Sequence, residues 1–110
     1  MPSRAVYSGM SNPRLSDETI AEFLSDLPGW ALSGNQLSRS FQFPDFSTAM
    51  GFMVRVGMVC ESLDHHPNWY NVYGKVEVQL WTHDAAGVTA LDVRLATQMS
   101  KIAAQAGCKS

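Results

Sequence analysis

The sequence predicts an α+β domain in the order helix, strand, strand, helix, strand, strand, helix, with a four-stranded antiparallel sheet and the helices packed on one of its faces. Three observations predict it. Apolar residues recur at three- and four-residue spacing in the segments 16–27, 45–63 and 89–106, the period of an amphipathic helix. They alternate with polar residues in 37–43 and 75–81, the period of a strand with one buried face. Each alternating segment follows a short extended stretch and a turn signal, Ser33-Gly34-Asn35 in one case and Gly74 in the other, so the strands come as two hairpins. Hairpins with helices between them suit one antiparallel sheet covered by helices.

Residues 1–14, with Pro2, Ser3, Ser8, Gly9, Ser11, Asn12 and Pro13, read as a flexible N-terminal extension. The domain then spans 15–107, and 108–110 form a tail. Ser16 is the expected N-cap of the first helix, with Asp17 and Glu18 in the first turn, where negative charge favours the helix dipole. Ile20, Phe23, Leu24 and Leu27 form its apolar face, and Pro28-Gly29 stops it. Trp30 to Leu32 begins the first strand. In the second, Leu37, Arg39, Phe41 and Phe43 share one face, and Ser38, Ser40 and Gln42 the other, which suits a partly exposed face or an edge.

Pro44 ends that strand. The long helix, Asp45 to Leu63, is expected to turn Phe46, Ala49, Met50, Met53, Val56, Gly57, Cys60 and Leu63 inward. Phe52, Val54 and Val59 add apolar surface on its other faces, which leaves two readings open: a helix buried on both sides in an oligomer, or a central core helix. Asp64 to Asn68 is a loop, Trp69 to Tyr73 a strand, and Val76, Val78 and Leu80 the buried face of the next. Thr89, with Asp92 three residues on, is close to a capping box. The last helix carries Leu91, Leu95, Met99, Ile102 and Ala106, and ends near Gly107.

Composition excludes several functions. The 110 residues are 45% hydrophobic and 16% charged, with a formal net charge of −2 and a pI near 5.8, and no Lys/Arg cluster offers a phosphate-binding stripe for nucleic acid. No apolar run approaches the ~20 residues of a membrane span, and the N-terminus lacks the apolar core of a signal peptide. Cys60 and Cys108 are read as free thiols in a reducing cytoplasm.

All three histidines fall in one stretch, Asp64-His65-His66-Pro67 and Thr82-His83-Asp84. A tight hairpin around Gly74 brings both ends of that stretch to one sheet edge. Glu61 lies one helical turn before His65, and Asp92 can hold the loop after His83. Imidazoles titrate near neutral pH, so acid–base catalysis is one reading. A three-histidine metal site is another, although adjacent residues of an extended stretch point to opposite faces and make His65 and His66 awkward co-ligands. Purely structural roles, capping a helix or bonding within a loop, are the third. Trp69, Tyr70 and Trp81 beside the histidines suit either the core or the stacking of a flat heterocycle.

The string Glu61-Ser-Leu-Asp64-His65-His66-Pro67-Asn-Trp69-Tyr-Asn-Val-Tyr, followed by Val76-Glu-Val and Thr82-His83-Asp-Ala-Ala-Gly87-Val-Thr89-Ala-Leu-Asp92, resembles the pterin-4a-carbinolamine dehydratases. So do Leu27-Pro-Gly29-Trp30 and the helix start Phe43-Pro-Asp45-Phe46. The resemblance spans about Leu15 to Ala106. It implies the same order of elements. It also implies a hydro-lyase that converts 4a-hydroxytetrahydrobiopterin to quinonoid dihydrobiopterin and water in tetrahydrobiopterin recycling, with no metal or organic cofactor. By matching positions it implies His65, His66 and His83 as the active-site histidines, with Glu61, Asp64, Trp69, Thr82 and Asp92 as substrate-binding or supporting positions. It implies a cytoplasmic homodimer or homotetramer, in which strand 37–43 pairs edge to edge and the long helix joins dimers. The family's second role, as a helical dimerisation cofactor of a transcription factor, is the alternative function and admits the nucleus. Trp81 departs from the resemblance, since relatives carry a small polar residue there, and this puts the substrate detail in question.

Overall fold

The computed structural model describes residues 12–109. Helix α1 spans Asp17–Leu24, strands β1 and β2 span Ala31–Ser33 and Gln36–Gln42, and helix α2 spans Phe46–Leu63. Strands β3 and β4 span Asn68–Val72 and Lys75–Leu80. A 3-10 turn at His83–Ala85 leads to helix α3, Ala90–Gln105. The strands form one antiparallel sheet in the order β1-β2-β4-β3, so the two hairpins meet through β2 and β4 in register from Leu37↔Leu80 to Gln42↔Lys75. The α+β reading, with its seven elements in order, holds.

Local chemistry sets the boundaries. The Ser16 hydroxyl accepts from the Thr19 N–H at 3.2 Å, and Asp45 caps α2 by accepting from the Thr48 N–H at 2.8 Å. Helix α1 stops at Leu24, earlier than its apolar spacing predicts. Leu27 still reaches the core from the following turn, while Phe23 stays exposed. The second hairpin turns on Tyr73-Gly74, where the Phe43 N–H donates to the Gly74 carbonyl at 2.7 Å. A Cβ on Gly74 would stand 2.4 Å from the Phe43 oxygen, so no other residue fits that close approach.

The core lies between the sheet and the helices. Leu37, Phe41, Phe43, Val76, Val78 and Leu80 meet Ala49, Phe52, Val56, Leu95 and Met99, all essentially without solvent exposure. Phe52 is its hub, with ring centroids 4.9 Å from Phe41 and 4.8 Å from Phe43. This corrects the expected face of α2. Ala49, Phe52, Val56, Cys60 and Leu63 point inward, whereas Phe46 and Met50 are exposed together with Val54 and Met58. The helix is apolar almost all round, so its periodicity does not choose a phase; Phe41 of β2 and Phe43 just beyond it choose it.

Strand β2 pairs with β4 from Leu37 to Gln42, but with β1 only from Gln36 to Ser38, so beyond Ser38 no strand of the sheet covers its other side.

Of the extension read at 1–14, residues 1–11 lie outside the described residues. From there on the chain is docked: the Leu15 N–H donates to the Val88 carbonyl at 2.8 Å. No described helix is long and apolar enough to cross a membrane.

Candidate active site

The end of α2 aims His65. Asp64 closes the helix in the left-handed conformation, φ 51° and ψ 43°. The next N–H, that of His65, donates back to the Cys60 carbonyl at 3.1 Å, completing a Schellman-type cap. Asp64, expected to contact substrate, thus stands as the residue that turns the chain. His65 is left 9% exposed, and its Nε2 lies 2.5 Å from Asp92 Oδ1.

Asp92 is fully buried and central. Its other oxygen, Oδ2, accepts from the Thr82 hydroxyl at 2.8 Å and from the Thr89 N–H at 2.9 Å. Thr89 and Asp92 form the capping box of α3, as their spacing predicts. An ionised carboxylate only accepts, so His65 carries its proton on Nε2 and leaves Nδ1 as the second ring nitrogen. The Thr82 proton is committed to Asp92. The 2.7 Å contact between the two threonine hydroxyls therefore has Thr89 donating to Thr82. One carboxylate thereby ties together the helix α2 exit, the β4 exit and the start of α3, and it brings the segments carrying His65-His66 and Thr82-His83 side by side.

The residues after Asp64 alternate as an extended chain does. His65 is buried and His66 exposed. His66 Nε2 lies 3.7 Å from Glu61 Oε1, too long for a hydrogen bond and within range of an ion pair when the imidazole is protonated. His83 is exposed at the head of the 3-10 turn. Its loop is pinned by the reciprocal backbone bonds of Thr82 and Gly87, at 2.8 Å and 3.4 Å. Trp69 pairs with Val78 in the sheet and packs partly buried against the core.

The geometry thus joins His65, Thr82 and Asp92 directly. It sets Glu61 with His66 and keeps Trp69 and Asp64 in structural contacts. Two further residues brace the loop of His83. Asn35, in the β1–β2 turn, donates through Nδ2 to the Ala86 carbonyl at 3.2 Å. The Arg14 side chain lies across Gly87, where an added Cβ would meet its Nε at 2.6 Å. Neither carries a local sequence signal, because each acts across a long stretch of chain. Thr89 had one, its capping position, but not its bond to Thr82. Among the described residues no three His, Cys, Asp or Glu side chains are grouped to hold a metal ion.

Comparison with known proteins bears on this site. The family described as pterin 4 alpha carbinolamine dehydratase matches residues 13–102. A protein of Nitrobacter winogradskyi, provisionally named pterin-4-alpha-carbinolamine dehydratase, is 53% identical over 96 residues, covering 86% of this chain and 95% of its own length. One from a Bradyrhizobium species, named in the same provisional way, is 57% identical over 93 residues, covering 83% and 93%. The crystal structure described as a transcriptional coactivator/pterin dehydratase from Brucella melitensis superposes with a TM-score of 0.80 at 47% identity, covering 82% of this chain and 98% of that one. Fold and sequence agree, and the chain belongs to the pterin-4-alpha-carbinolamine dehydratase family.

Proposed function

We propose that the protein dehydrates 4a-hydroxytetrahydrobiopterin to quinonoid dihydrobiopterin and water by histidine acid–base catalysis. The C4a–O bond breaks, an acid delivers a proton to the departing hydroxyl, and a base removes the N5 proton as the C4a=N5 double bond forms. Two imidazoles in opposite protonation states supply both groups. His66 and His83 are assigned to flank the reacting carbon, and His65 to hold position. The observation that carries this division is the exposure of His66 and His83 beside a His65 that is buried on Asp92. Glu61, Asp64, Trp69, Thr82 and Asp92 are assigned to binding or supporting that constellation. The product is ready for reduction, which makes the step part of tetrahydrobiopterin recycling in the cytoplasm.

Stopped-flow absorbance of 4a-hydroxytetrahydropterin dehydration tests the reading. The wild type accelerates the step, and His66→Ala and His83→Ala each lower the rate by about 10²- to 10⁴-fold. Unchanged rates in folded variants would remove the assignment, and no acceleration by the wild type would remove the reaction.

A second reading rests on the outer face of α2, where Phe46, Met50, Val54 and Met58 form an exposed apolar stripe. Such a stripe suits a protein partner. We assign it to assembly into a homodimer or homotetramer. The alternative is a helical binding module acting as a transcriptional coactivator, a role that the description of the Brucella melitensis structure also names. Histidine variants that are harmless in cells, beside a harmful Met58→Glu, would favour the binding role.

A further inference from the structure

Backbone alternation settles which way Trp81 faces. Leu80, before it, is fully buried. Thr82, after it, is extended at φ −101° and ψ 115° and donates to buried Asp92. Both side chains therefore lie on the helix-covered side of the sheet. Successive strand residues point to opposite faces, which turns the Trp81 indole to the open side. His66 shares that side by the same argument, since His65 before it is buried on Asp92.

Register then places the two together. The β3–β4 ladder runs Trp69↔Val78, Asn68↔Gln79, and continued two steps it sets His66 across from Trp81. The β2–β4 ladder ends at Leu37↔Leu80, and one step further sets Gln36 on the other flank. The rows beneath are polar: Ser38, Ser40, Glu77 and Gln79 line a groove of about 340 Å³ on the same face. A partly buried indole in that setting adds nothing to the core. It offers a flat π surface beside an exposed imidazole, two residues from His83.

Resting on the dehydratase reading, we propose that Trp81 is the specificity-determining residue that stacks on the flat bicyclic ring of the pterin and presents its reacting edge to His66. Aromatic side chains hold planar heterocycles in this way. The contact forms equally in the ground state and the transition state, so its loss raises KM and leaves kcat nearly unchanged.

The test titrates the full chain calorimetrically with oxidised biopterin, which has no 4a-hydroxyl to lose, and measures KM and kcat for dehydration. In Trp81→Ser, Kd and KM rise about tenfold, the scale of one lost base–aromatic stack. Trp81→Phe recovers most of the loss and Trp81→Leu does not. Wild-type Kd and KM in Trp81→Ser, or in Trp81→Leu where the serine variant fails to fold, overturn the proposal, as does an absence of biopterin binding by the wild type. Binding that depends on Trp81 without acceleration of dehydration overturns the dehydratase reading and leaves the stacking site standing. Acceleration with KM indifferent to Trp81 does the reverse.

Discussion

Asp92 accepts three hydrogen bonds from three different stretches of chain, so its substitutions separate structure from chemistry. Asp92→Ala strands the Thr82 hydroxyl, the Thr89 N–H and the His65 ring N–H in a buried place. Each orphaned group costs about 1–3 kcal/mol, and a loss of about 3 kcal/mol or more is expected in urea unfolding. Asp92→Asn keeps the shape. Its oxygen still accepts from Thr82 and Thr89, while its amide donates to His65 Nε2 and drives the ring proton to Nδ1. Nitrogen-15 NMR of the imidazole is expected to show that exchange of tautomers, with most of the stability retained. Asp64 poses a different question, since it holds the left-handed cap of α2. Glycine relieves that conformation, so Asp64→Gly is expected to leave the melting temperature unchanged or higher. A fall in dehydration rate in that variant would assign the carboxylate to substrate as well.

At the scale of an element, α2 is positioned at one end by Asp45 and at the other by the turn that delivers His65. The hydrogen bonds from Thr48, side chain first and backbone N–H second, hold the Asp45 carboxyl below its ordinary 3.8. A depressed carboxylate contributes its stability in full above the unfolded value, and that contribution fades as pH falls through the folded one. The neutral cap in Asp45→Asn lacks this dependence. The stability difference between wild type and Asp45→Asn is therefore expected to hold constant above about pH 5 and to move against the wild type between pH 4 and pH 2. Chemical denaturation across that range checks it. The same helix buries Cys60, whose thiol desolvation raises to about 11. Thiol reagents at neutral pH are expected to reach half-exposed Cys108 and to spare Cys60 until the protein unfolds.

For the molecule as a whole, the two faces of α2 have opposite duties. Phe52 joins the sheet to the helices, and Phe52→Ala is expected to cost about 3–5 kcal/mol, a large share of what a domain of this size commands. Met58 on the outer face is 68% exposed, so Met58→Glu is expected to leave the stability of the isolated chain almost untouched. Light scattering at micromolar concentration distinguishes the consequences. If α2 builds an assembly, the wild type has the mass of a dimer or tetramer and Met58→Glu a smaller one. A monomeric wild type would end that proposal.

Much of this was legible in the residues. Local rules placed the Ser16 and Thr89 caps, the Gly74 turn and the alternation of β4, because each depends on neighbours a few positions away. The approach of the segments carrying His65-His66 and Thr82-His83 was legible from their spacing around one hairpin. The inward face of α2 was not, since a helix apolar on nearly every side has no preferred phase until Phe41 and Phe43 meet it. Nor was the short reach of β1, which covers β2 only as far as Ser38, because a polar outer face looks the same on an edge strand and on a central strand of an open-faced sheet. The bracing of His83 by Asn35 and Arg14 required contacts across the chain. Sequence by itself determined the elements, their order and the family. Only the tertiary structure decided which histidine is buried and which are exposed, because burial depends on surfaces that the folded chain brings together from far apart.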